Sequence, residues 1–277
     1  MQEISQFNDI INLLDTANKT LESRIFVPSL GNDIVAKTLN ANHTKNIVKT
    51  TVEGPFSDNQ FVLIMYNVLG DVLGPTIDLN TLNLYDKILI LLQLRAKNID
   101  DEYKVSFTSA DNDKVIEKSI SLSKHIDKIR KSLPAFENVT DEIKNDDAVV
   151  YKYTLNIPSI KEEFVFENNL YQEKIAKIDE SNSQQMKGLI APMFLSHVTP
   201  FVKNITINDT FIDLTVRSVV ERTAIVERLS SKAILSIIKK VDEVFGKAMQ
   251  NVTKVTKTID GITYNGNIKI DAGFFIE

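Results

Sequence analysis

Three histidines are the first place to look for catalysis in this 277-residue chain, because it has no cysteine to serve as a thiolate nucleophile or metal ligand. They stand at His43, His125 and His197, far apart and outside any H-E-x-x-H or H-x-H pattern, so their spacing writes no zinc site. A serine-histidine-acid relay can assemble from distant positions, and Ser196 directly precedes His197. That serine lacks a G-x-S-x-G elbow, and with Pro200 close by the pair reads as a helix end or a loop. The adjacent carboxylates Asp146-Asp147 and Glu162-Glu163 point apart on any regular element and make no acid–base couple by themselves. Asp111-Asn112-Asp113 opens like a calcium loop but lacks the glycine at the sixth position and the glutamate at the twelfth, so it reads as a polar turn.

Phosphate chemistry is no better supported. None of the nine glycines falls into G-x-G-x-x-G or G-x-x-x-x-G-K-S/T. In RIFVPSLGND, residues 24–33, Gly31 stands alone, without the clustered glycines and following lysine that a phosphate cradle needs. It reads as a turn closing a strand. The sequence therefore predicts no catalytic, cofactor-binding or metal-ligating residue, no cofactor, and a protein that is not an enzyme.

The elements that carry these residues are legible in part. Phe7, Ile10, Ile11, Leu14, Ala17 and Leu21 repeat at helical spacing and predict a helix over about 4–22. A strand from Arg24 to Val27 follows, then a short helix from near Asn40. Ser57 to Gln60 reads as a capping box opening FVLIMYNVLGDVL, a buried helix ended by Gly74-Pro75. A second core helix is expected from about Leu82 to Lys97, since LNLYDKILILLQLRAKN is apolar over most of its circumference.

Strands are expected at 103–109, 114–123 and 149–158, with a short helix or irregular segment ended by Pro134 between them. Ser159 to Glu162 caps a further helix. DESNSQQMKG at 179–188 reads as a linker. RSVVERTAIVERL predicts a helix, and the stretch from Ser230 predicts another, with Ala233, Ile234, Ile237, Ile238, Val241, Val244 and Phe245 on one face. Final strands are expected around turns at Asp260-Gly261 and Asn265-Gly266.

The fold class is thus α+β, with helix-rich N- and C-terminal parts, a small antiparallel β insertion, and a C-terminal β-hairpin or meander. The expected division is an N-terminal helical domain with an edge strand (1–100), a β-rich insertion (101–158), and a C-terminal helical domain ending in short strands (159–277).

Composition narrows the partners. A net charge of −5 argues against nucleic-acid binding, which needs a basic surface to displace counterions from phosphates. MQEISQFNDIINLLDTANK has no basic segment leading into an apolar one, so no signal peptide is expected. The longest apolar run, ILILL at 88–92, is far short of the roughly 20 residues that span a bilayer. A protein kept in a cytoplasm, without membrane or nucleic-acid partners, is the expectation. Charge is uneven: residues 137–180 hold eleven acids and five bases, and residues 217–257 hold nine bases and four acids. Two solvated faces are one reading; complementary docking, within the chain or between copies, is the other.

What remains points to protein–protein contact. Phe26, Val27 and Pro28 make a strand end that belongs at a sheet edge, where a partner's strand could pair. Phe274 and Phe275 must either tuck into the core or insert into a partner. These five are the candidate partner-binding residues. A cellular helical adaptor and a hydrolase built on His197 with a carboxylate are the rival readings.

Several stretches together resemble a known family. FVPSLG near residue 30, LNLYDKILILLQLR at 82–95, NIPSIKEEFVFE at 156–167, AIVERLSSKAILSIIKKVDEVF at 224–245 and IKIDAGFF at 268–275 occur in an order similar to that of the baseplate hub and hub-assembly proteins of T-even-like contractile-tailed phages. The stretch from about 100 to 155 matches least. The resemblance implies a non-enzymatic structural or assembly role in building the hub at the tip of a contractile tail. Its implied partners are other tail or baseplate proteins, or a second copy of the chain. The implied location is the host cytoplasm during assembly, and the baseplate itself for a member that stays in the virion.

Overall fold

The deepest element is a helix, and its sequence explains why. The computed structural model describes residues 7–19, 21–51, 56–109, 114–145, 148–178 and 182–276. Along the chain, α1 (Phe7–Lys19) leads to a hairpin of β1 (Ser23–Val27) and β2 (Asn32–Ala36), then α2 (Ala41–Lys49), α3 (Ser57–Leu73) and α4 (Leu84–Asn98). In α4 every residue from Leu89 to Arg95 is buried, as an all-round apolar helix requires. Its start is fixed by a capping box: the Asn83 side chain accepts the N–H groups of Tyr85 and Asp86, and the Asp86 carboxylate accepts that of Asn83.

The box expected at Ser57 does not form; Phe56 occupies the cap position and Ser57 is already helical. Burial of Phe56 against Leu170, Ile175 and Leu189 sets that entry point, and packing overrides the capping signal.

Two four-stranded antiparallel sheets flank the helices. The first, in order β4–β3–β10–β9, consists of β3 (Glu102–Ser109), β4 (Val115–Ser121), β9 (Lys254–Ile259) and β10 (Ile262–Asn267). The second, β5–β6–β7–β8, consists of β5 (Val139–Asn145), β6 (Ala148–Leu155), β7 (Val202–Ile207) and β8 (Thr210–Asp213). The stretch expected as a separate insertion, 101–158, is thus divided between two sheets, and each is completed by strands from beyond residue 200. A lone hairpin cannot bury its apolar face, and the later strands supply the missing width. One hydrophobic core runs from Ile25 to Phe275 and includes residues of all three expected segments.

Asp260-Gly261 forms the expected tight turn, with φ of 51° and 78°. Asn265-Gly266 does not turn; it lies within β10. There a Cβ on Gly266 would stand 2.6 Å from Val105 Cγ1 and 3.0 Å from Phe107 Cδ1, so this glycine serves close approach between strands.

The remaining helices are α5 (Leu122–Arg130), α6 (Ile160–Glu173), α7 (Ser183–Gly188), α8 (Ile190–Val198), α9 (Val219–Val226), α10 (Ser231–Val241) and α11 (Lys247–Thr253), the last two joined by a π turn over Asp242–Gly246. The expected linker is partly helical: Asn182 caps α7 by accepting the N–H groups of Gln184 and Gln185. Residues 179–181 of that stretch lie outside the described residues.

Of the two readings of the charge asymmetry, docking within the chain has a physical counterpart. Arg222 pairs with Glu162 at 3.1 Å and Lys240 with Asp141 at 3.4 Å, each joining the basic segment to the acidic one.

Candidate interaction surface

An amphipathic helix normally turns its apolar stripe inward. In α1 the stripe faces out. Ile10, Ile11, Leu13 and Leu14 are 40–56% exposed. The polar residues Asn12 and Thr16, one turn apart, instead line a cleft of about 930 Å³ whose far wall carries Thr38, His43 and Asp71. At 3.6 residues per turn, Ile10 and Leu14 lie on nearly the opposite side of the helix from Asn12. The Thr38 hydroxyl donates to the carbonyl of Leu21 at 2.8 Å, tying the chain to the body just after the helix. The sequence announced the stripe; the direction in which it faces was not legible, because that depends on what the body offers it.

The edge strand is closed rather than open. The Phe26 N–H donates to Gln93 Oε1 at 2.7 Å, and Gln93 Nε2 donates to the Phe26 carbonyl at 2.8 Å. The glutamine amide thus answers Phe26 as a neighbouring strand would. The Ser29 N–H donates to Asp86 Oδ1 at 2.9 Å, and the Lys97 ammonium donates to the Arg24 carbonyl. Val27 is fully buried, while Phe26 and Pro28 are half-buried, the Phe26 ring lying 4.2 Å beneath the Arg130 guanidinium. So α4 occupies the place where a partner's strand would pair with Phe26. Gly31, at φ 64°, closes the turn between β1 and β2 as expected, its N–H pointing to the carbonyls of Val27 and Pro28.

Phe274 and Phe275 take the internal alternative, at 1% and 3% exposure. The Phe274 ring meets Tyr103 edge-on at 5.1 Å and lies 5.2 Å from the Arg95 guanidinium; Phe275 packs against Phe61 at 6.5 Å. Offered by the sequence as partner-binding, both are core residues, because the cleft beside Tyr103 and Phe61 supplies aromatic surface to cover them.

The three histidines do not converge. His43 belongs to the cap of α2: its N–H donates to Asn40 Oδ1, and its Nδ1 accepts the Asn40 N–H. His125 Nε2 hydrogen-bonds the Val252 carbonyl at 2.7 Å; burial, with Lys128 adding to it, pushes its pKa down despite that bond. His197 is 63% exposed and 3.7 Å from Glu167. Ser196 donates to Glu167 Oε1 at 3.0 Å, and Asn59 donates to Glu167 Oε2. A relay needs the serine proton directed at the imidazole, with the carboxylate behind it. Here the serine hydroxyl has the carboxylate and, at 2.8 Å, the Met193 carbonyl as its acceptors, and the trio of Asn59, Glu167 and Ser196 fastens α3, α6 and α8 together.

Glu162 and Glu163 diverge as expected. Glu163 pairs with the Lys87 ammonium, and Glu162 with Lys203 at 2.8 Å and with Arg222. Burial pushes the Glu162 carboxyl up. The Lys203 charge and hydrogen bond, the Ser159 N–H and Arg222 together outweigh it and hold the group below the usual carboxylate range. Asp146-Asp147 and Asp111-Asn112-Asp113 lie outside the described residues. Among the described residues, no helix is long and apolar enough to cross a membrane.

Comparison with protein families, curated proteins and solved structures finds no match to this chain.

Proposed function

We propose that this chain is a non-enzymatic structural or assembly protein of a phage contractile-tail baseplate hub. On this reading it acts in the host cytoplasm by docking other tail or baseplate proteins. The observation that carries the reading is the outward stripe of α1. Exposed contiguous apolar side chains mark a surface that another protein covers, and Ile10, Ile11, Leu13 and Leu14 are 40–56% exposed in the described fold. The mode is a helix laid into a groove, read as anchors at Ile10 and Leu14 with Ile11 and Leu13 flanking. The order of motifs shared with hub proteins supplies the identity of the partner class.

The test is affinity capture of the full chain from infected cells, with the bound proteins identified by mass spectrometry. Identified tail or baseplate proteins are expected with the wild type and are lost in the double variant Ile10→Ser, Leu14→Ser. Capture of no tail protein by a folded wild-type chain overturns the reading, as does substrate turnover by the purified protein that depends on one polar side chain.

A further inference from the structure

The first sheet holds a feature that the outward face of α1 does not explain. Between α5 and β9 lies a groove of about 430 Å³ whose rim carries Lys124, Lys128, Lys254 and Lys257. Among the described residues, no aspartate or glutamate lines it. Among the described residues none of the four lysines makes an ion pair. The Asp101 carboxylate feels the Lys124 charge without pairing with it, being held by the Ser121 hydroxyl at 2.6 Å and the Ser123 N–H at 2.7 Å. In a chain of net charge −5, four unpaired cations around one concavity are a local reversal of sign.

The floor is apolar. Phe107, Val255, Ile120 and Ile129 line it, with Tyr85 among them. Register explains the shape: Phe107 pairs with Gly266, and Gly266 with Val255, so they share one row on one face of the sheet. The Val105 and Phe107 side chains close over Gly266, so the floor beneath the lysines is continuous. The Lys257 ammonium reaches from β9, one edge of the sheet, to the carbonyl of Ser119 in β4, the other edge, at 3.3 Å. The sheet is therefore curled strongly enough for its two edges to approach.

We propose that this groove binds an acidic segment of a partner protein, one with an apolar or aromatic anchor between its carboxylates. The proposal rests on the reading of the chain as an assembly protein. The distribution of charge selects the ligand class. A compact phosphate is best held by ammonium and N–H groups that converge on one point, and the four lysines here stand apart on α5 and β9. Its charges are separate ammonium groups spread along two elements, which matches carboxylates spread along a chain. The apolar floor between the lysines receives the anchor. In the chain's own acidic strand Asp141 lies on Lys240 and Glu142 on Lys144; a second copy in the groove would make the chain self-associate, and a monomer in sedimentation at the titration concentration excludes it.

The purified full chain is titrated, by fluorescence anisotropy, with a labelled twelve-residue peptide of aspartates and glutamates around a central phenylalanine. Binding is expected to weaken with salt and to fall at least tenfold in the double variant Lys124→Gln, Lys128→Gln, which changes only exposed positions on α5. A matching peptide with glycine for phenylalanine binds more weakly. The His125 ring resonances shift on titration while those of His43 and His197 stay in place. Lys239→Gln, elsewhere on the basic segment, leaves binding unchanged. Equal binding by the wild type and the α5 double variant overturns the proposal, and so does tighter binding of ATP or of a single-stranded oligonucleotide than of the peptide. A negative result here together with α1-dependent capture of tail proteins removes the groove alone; loss of that capture with the groove still binding removes the docking role of α1.

Discussion

Two apolar segments of this molecule carry similar sequence signals and meet opposite fates. Phe274 and Phe275 are closed into the core; Ile10, Ile11, Leu13 and Leu14 stand in solvent. Hydrophobicity is equal to the task in both cases, since burying a large apolar side chain gains roughly 1.5–3 kcal/mol. The difference lies in the receiving surface. Phe274 and Phe275 find Tyr103 and Phe61. Across its cleft α1 finds Thr38, His43 and Asp71, a wall on which leucine would gain little, and so it presents Asn12 and Thr16 there. An apolar stripe is thus evidence of a partner only once the chain's own surfaces have been shown not to cover it.

This contrast can be broken by stability measurements. The largest effect is expected at Phe274→Ala, which should lower unfolding stability by about 3–5 kcal/mol, read from the midpoint of a denaturant titration. A loss below about 1 kcal/mol would mean the ring is not part of the core.

Glu162→Gln should cost roughly 2–4 kcal/mol near neutral pH, because it leaves Lys203 and Arg222 without their shared anion. The folded carboxyl titrates below the unfolded one, so the stabilisation is complete above the unfolded pKa of about 4.3 and is lost as pH falls through the folded value. The stability gap between wild type and variant should narrow on acidification; a gap constant from pH 7 to pH 3 would show that the charge contributes nothing.

Gln93→Ala should cost about 1–2 kcal/mol by stripping partners from the Phe26 N–H and carbonyl. It also opens the strand edge, so new self-association of the variant in sedimentation would show that α4 is what keeps β1 from pairing.

The smallest effect belongs to the other half of the comparison. Ile10→Ser with Leu14→Ser should shift stability by no more than about 0.5 kcal/mol, as for exposed positions generally, while abolishing capture of tail proteins. A loss comparable to that at Phe274 would place the stripe inside the fold.

Much of the secondary structure was legible where a side-chain period and a cap agreed. The Ser159–Glu162 and Ser230 starts, the core helix through ILILL, and the Asp260-Gly261 turn all follow local rules, and local chemistry sufficed. The failures share a cause. Strand β5, β7 and β8 carry no clean alternation, and their identity comes from the neighbours they pair with. Helix α8 runs through Pro192, which its first turn tolerates. Gly266 looked like a turn residue because the strand that crowds it lies about 160 residues away in β3. The same remoteness hid the groove: Lys124 and Lys254 are meaningless together until α5 and β9 are side by side.

By itself, the sequence determined the α+β class, the all-round apolar central helix and the amphipathic character of α1, because each is encoded in the order of neighbouring residues. Only the tertiary structure decided which apolar segments are covered, how 101–158 is shared between two sheets, that Gln93 closes the strand edge, and that four lysines flank one groove. Those are relations between residues distant along the chain, and the free energy that fixes them depends on which surfaces meet, a quantity that no local pattern contains.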